Sequence, residues 1–102
     1  MTENHKHRAK IFLHRGDVAQ ARAAWEAAVA DDRIGGSRQA LSDSLGNLGN
    51  ACALMNDFPR AEQCYREVLE IQRTECNLTA VAHTLVNLGN LHIASDHPEK
   101  AR

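Results

Sequence analysis

Three cysteines, Cys52, Cys64 and Cys76, stand 12 residues apart and are the first candidates for chemistry in this chain of 102 residues. A thiolate is a nucleophile and a metal ligand. An odd number leaves one thiol unpaired, and no Cys-x-x-Cys occurs, so reduced thiols in a cytosolic compartment fit better than a disulfide scaffold. A turn signal at Asn56-Asp57-Phe58-Pro59 separates the first two, and no zinc-type ligand spacing is present, which argues against a metal site. His5-Lys6-His7 invites the same idea, but alternate positions on a helix point apart, and a solvated basic terminus is the simpler reading. Cys52 and His92 could form a thiol–imidazole pair. Their spacing makes them core-lining residues of adjacent helices instead. Asn77-Leu78-Thr79 matches a glycosylation sequon, which carries no meaning without a secretory signal. No G-x-S-x-G, H-E-x-x-H or GxxxxGK[ST] occurs. Gly46-x-x-Gly49 lies inside a helical pattern, so it is no phosphate loop. Neither catalysis nor a metal or cofactor is expected.

Composition narrows the class further. Lys and Arg total 12 against 13 Asp and Glu, a net charge of −1 that gives no global attraction to nucleic acid or anionic lipid. Ala and Leu total 26 while Val and Ile total 9, favouring helix over sheet. Aromatic residues are only 4%, so small aliphatic side chains must build the core. No apolar run is long enough for a membrane span. The segment MTENHKHRAK lacks the apolar stretch of a signal peptide, and a cytoplasmic protein is expected.

The elements that must position any functional residue emerge from self-comparison. Gly16-Asp17-Val18-Ala19-Gln20-Ala21 aligns with Asn56-Asp57-Phe58-Pro59-Arg60-Ala61 and with Asp96-His97-Pro98-Glu99-Lys100-Ala101, each shifted by 40 residues. Leu45-Gly46-Asn47-Leu48-Gly49-Asn50 aligns with Leu85-Val86-Asn87-Leu88-Gly89-Asn90 at the same shift. Trp25 and Tyr65 follow their alanines by four residues. This is a repeat, with units at about 2–41, 42–81 and a partial 82–102.

Each unit reads as a helical hairpin. Leu45, Leu48, Cys52 and Met55 recur at helical spacing, as do Ala61, Cys64 or Tyr65, Val68 and Leu69. Asp57 can cap the second helix of its unit, with Pro59 tolerated in the first turn, and that helix should end near Arg73. Helices are expected near 4–15 and 18–31, then Gly35-Gly36 interrupts and Ser37 caps the next. Another runs from about Leu78 to Ser95, and Asp96-His97-Pro98 would start a last one. Gly49, Gly89 and Ala61 are small where helices cross closely, while Trp25 and Tyr65 fill the space between units.

These motifs resemble the tetratricopeptide repeat family, whose signature is W-x2-L-G-x2-Y, then A-x3-F, then P. The second unit has Leu45-x2-Leu48-Gly49-x2-Cys52 and Ala61-x3-Tyr65; the third has Leu85-x2-Leu88-Gly89-x2-His92 and Ala101. The first keeps Ala21-x3-Trp25, with Phe12 at the tyrosine position. The late proline is replaced by Arg73. The period of 40 exceeds the usual ~34 and is similar to that of kinesin light chains and spindle-orientation adaptors. The resemblance implies an all-α, right-handed solenoid of about two and a half repeats.

It also implies a protein-interaction module whose first helices line a concave groove for an extended peptide. The groove positions are Lys6, Lys10, Asn47, Asn50, His83, Asn87 and Asn90, with His7 and His14 also contributed by the first unit and Asp43 near the far end of its helix. A column of Asn can pair with a peptide backbone irrespective of sequence. Some members clamp acidic C-terminal tails. That pattern is matched at Lys6 and Asn47 and departed from at Lys10, His83 and Asn87. Residues 1–40 carry 7 basic and 5 acidic groups, which suits an acidic partner at that end. The alternative is self-association, as a homodimer or larger homo-oligomer, through Leu85, Leu88, Leu91 and Ile93. Those residues are expected to lack cover because the third unit has little of its second helix. A small ligand in the groove is a third reading.

Overall fold

A computed structural model describes residues 2–96, and among the described residues the fold consists of five helices and no strand. Helix α1 spans Thr2–His14, α2 Val18–Gly35, α3 Arg38–Leu54, α4 Phe58–Thr74 and α5 Leu78–Asp96. The expected last helix beyond Asp96, with Ala101, lies outside the described residues.

The helices start where they do because four caps are evenly spaced. Asp17, Ser37, Asp57 and Asn77 each accept the backbone N–H three residues on, at 3.3, 3.0, 3.4 and 3.2 Å. Such a cap satisfies one of the donors that a helix start leaves unpaired. Asn77, read in the sequence only as part of a sequon, is therefore the cap of α5.

Three of the four turns share one device. Gly16, Asn56 and Cys76 have φ of 80°, 61° and 55°. In each turn the following amide reaches back to a carbonyl of the last helical turn: Asp17 to Phe12, Asp57 to Cys52, and Asn77 to Gln72. This pattern satisfies carbonyls that the helix end would orphan. The Gly36 turn differs, with φ −89°. Glycine is needed there for space, since a Cβ would lie 2.8 Å from the Asp32 Cα. Helix α2 consequently runs to Gly35, beyond the expected end near residue 31.

Each helix packs on its neighbours in sequence, giving a tetratricopeptide-type stack in which α3 is covered by α2 on one side and α4 on the other. Trp25, Leu45, Leu48, Cys52, Ala61, Cys64, Tyr65 and Val68 are buried in one continuous core. Met55, placed in the same stripe by spacing, caps the end of α3 and is exposed. One hairpin cannot bury its own apolar face, so stability is shared across the stack.

Helix α5 corrects three expectations. Leu88 and Leu91 are 8% and 5% exposed, because they point into the α4 side of the stack and join the core. They are not part of an uncovered face. Leu85 and Ile93 are 47% and 64% exposed, as that expectation required of them. Gly89 marks no close crossing: a Cβ there would meet nothing within 4 Å. His92 is likewise exposed and not core-lining: its Nε2 stands 4.0 Å from Glu62 of α4 at the edge of the stack.

The second helices of the two hairpins are tied by ion pairs. Arg33 grips Glu67 with both terminal nitrogens of its guanidinium. Arg60 meets Glu26 at 2.9 Å, and Arg22 meets Asp57 at 2.7 Å.

Candidate functional site

The inner side of the stack is a single groove of about 520 Å³, walled by α1, α3 and α5. Its floor is laid by Trp25, Tyr65 and Val68 from the second helices. Helical rotation of about 100° per residue decides which wall residues reach it. Lys6 and Lys10 of α1, Asn47 and Asn50 of α3, and His83 and Asn87 of α5 all line it, one turn apart or less on each helix. Asp43 lines it as well. His7, one residue beyond Lys6, is turned away, and His14 ends α1 past the groove; neither contributes to the lining. Asn90 is not in the groove but in a second, adjoining pocket of about 300 Å³.

The polar groups of the groove are held in place by specific partners. Tyr65 donates its hydroxyl to Asn50 Oδ1. Burial pushes the Tyr65 phenol above its ordinary pKa, so it stays a donor. That commits the Asn50 carbonyl and leaves its NH₂ for a ligand. Asn47 does the reverse: its Nδ2 donates to the Asp43 carbonyl at 2.9 Å, leaving its side-chain oxygen to accept. Successive asparagines on α3 thus present a donor and an acceptor.

Lys6 is not a free cation. Its Nζ lies 3.7 Å from Asp32 Oδ2, and Asp32 is 4% exposed at the end of α2. Ser44 donates its hydroxyl to the same carboxylate oxygen at 2.6 Å. His5 lies 3.3 Å from Asp31. The basic start of α1 is therefore clipped to an acidic end of α2 and is more than a solvated terminus. No sequence signal flagged Asp32 as buried; the adjacent Gly36, which needs the space beside it, is the nearest hint.

The cysteines present no nucleophile at the groove. Cys52 and Cys64 are fully buried, and burial pushes the Cys64 thiol up to about 11 and raises Cys52 as well. Cys76 is exposed in the turn before α5. Among the described residues, no group of three or more His, Cys, Asp or Glu could hold a metal ion. No described helix is long and apolar enough to cross a membrane.

A family model described as tetratricopeptide repeat matches residues 2–74, which span α1 to α4. No curated protein matches the chain.

Proposed function

The chain belongs to the tetratricopeptide repeat family, and we propose that its groove binds an extended segment of a partner protein. Repeats of this family commonly mediate protein–protein interaction, and the fold is generally non-enzymatic. The observation that carries the reading is the convergence of Asn47, Asn50 and Asn87 on one groove with an aromatic floor. Amides with one function already committed are oriented before a ligand arrives, which lowers the ordering cost of binding. Lys6 is engaged by Asp32, so among the described residues of the groove Lys10 is the lysine placed to meet an acidic residue of the segment.

The test is selection of displayed random peptides on the purified chain, followed by calorimetry. Changing both Asn47 and Asn87 to Ala should weaken a selected peptide by roughly 1–3 kcal/mol, at ~0.5–1.5 per hydrogen bond. Helical content should be unchanged, since both side chains are exposed. Undiminished binding by the double variant would remove the ladder.

A second reading, pairing of α5 with another copy of the chain, is favoured by its bare side. Leu85, Val86 and Ile93 are exposed there, and the space over Gly89 is open. Sedimentation at several micromolar concentrations separates the two readings: a single species of 11.3 kDa defeats self-association.

A further inference from the structure

The pocket adjoining the groove lies where the end of α3, the start of α4 and the second half of α5 meet. We propose that it seats one leucine-sized apolar side chain of the bound segment, so that the groove selects extended peptides with an apolar residue at one position. This rests on the groove reading above and names the ligand more closely.

The chemistry of the pocket is mainly apolar. Ala53, Phe58, Leu91 and Ala94 line it together with the Tyr65 ring, Asn56, Asn87 and Asn90 stand at it as well, and none of the described lining residues is charged. Carboxylates, ammonium and guanidinium groups would lose their hydration there without a partner. Tyr65 and Asn87 line both this pocket and the groove, so a chain running along the groove passes the pocket mouth. In an extended peptide alternate side chains point to opposite sides. A residue whose backbone pairs with Asn87 can therefore stand beside one whose side chain enters the pocket. Asn90, absent from the groove, is at this pocket and can hold the peptide backbone on its other side.

The repeat register shows how the lining of this junction differs from that of the first. Shifted back by 40 residues, Ala53 corresponds to Leu13 and Ala94 to Leu54. Two leucines stand at the first junction where two alanines stand at the second. At the second junction Phe58 and Leu91 stand where Val18 and Ala51 stand at the first, so large apolar walls flank two small residues.

The experiment compares the intact chain with an Ala53→Leu, Ala94→Leu variant, which copies the residues of the first junction. The probe is a positional-scanning library of capped nonapeptides, read by fluorescence polarisation. In the intact chain, one position should favour Leu, Met or Phe over Ala by roughly tenfold or more. In the variant that preference should collapse, with the Ala-containing peptide still bound. Phe58→Ala, which enlarges the pocket, should instead move the preference toward larger aromatic residues, and it keeps the question decidable if the double variant melts early. Apolar preference that survives in the filled pocket overturns the proposal. So does a library with no such position whose binding is still weakened by Asn47→Ala, and that outcome leaves the groove reading standing. No binding of any library member sinks both.

Discussion

The ring of Tyr65 occupies the space that a Cβ on Gly49 would need: such an atom would lie 2.7 Å from Cε1 and 3.0 Å from Cδ1. The ring has little freedom to move, because its hydroxyl is bonded to Asn50, the next residue along α3. One period later, Gly89 faces open space. The same substitution at the two glycines should therefore have opposite signs. Gly49→Ala should cost about 1–3 kcal/mol through overpacking. Gly89→Ala should be neutral or stabilising by up to ~1 kcal/mol, as expected for glycine replaced in an open helix position. Urea denaturation of both variants decides it, and equal shifts would refute the crossing.

A second prediction concerns the turn before α5. Cys76 holds a φ of 55°, a conformation that costs a residue with a Cβ about 1–2 kcal/mol. Its counterpart one period and a half earlier is Gly16, and Asn56 stands at the equivalent place in the turn before α4. Both are the residue types that tolerate this conformation. Cys76→Gly should raise the melting temperature, with a gain of about 0.5–1 kcal/mol after the entropic cost of glycine is set against it. Gly16→Ala should lower it. A destabilised Cys76→Gly protein would mean that the thiol makes a compensating contact.

The helix borders were legible because caps and breakers are local: Asp57 and Ser37 announce their helices by type and position alone. The register was legible because small and aromatic residues recur, and it placed Lys6, Lys10, Asn47, Asn50, His83 and Asn87 on one surface. What the pattern could not show is pairing across helices. Lys6 reads as a groove cation until Asp32 is found buried beside it, and Arg33 and Glu67 stand 34 residues apart with nothing local to link them. Spacing alone does not divide the buried from the exposed leucines of α5 for a related reason. Leu88 and Leu91 face α4, while Leu85 and Ile93 face outward, and the division depends on which neighbour is present rather than on spacing.

The clasp of Arg33 on Glu67 makes a prediction about pH. Hydrogen bonding from Arg33 holds the Glu67 carboxyl below its ordinary value. A carboxyl depressed in the folded state adds stability that is fully present above its unfolded pKa and is lost as pH falls through its folded one. Glu67→Gln should therefore be less stable than the parent at neutral pH, and the gap should close in acid. Both side chains are more than a third exposed, so solvent screening limits the gap to about 0.5–1 kcal/mol. Denaturant midpoints measured from pH 7 down to pH 2 test this. A gap that persists at the acid end would assign the effect to packing and not to the charge.

Equivalent leucines on α3 and α5 give the last prediction. Leu45 is fully buried beneath α4, whereas Leu85, its counterpart one period later, is 47% exposed. Truncating a buried leucine removes its transfer energy and leaves a cavity, costing about 2–5 kcal/mol. Leu45→Ala should fall in that range, and so should Leu88→Ala, since Leu88 faces the core. Leu85→Ala should cost less than about 1 kcal/mol in a monomer, because its side chain gives up little burial there. If α5 pairs with another copy, the result changes in a recognisable way. Leu85 would be buried in the dimer, and Leu85→Ala would become costly at high protein concentration and mild at low concentration. Melting curves at two concentrations a hundredfold apart separate these cases. A concentration-independent, mild Leu85→Ala alongside a severe Leu88→Ala would settle α5 as a helix with one covered side and one bare side, and would end the self-association reading.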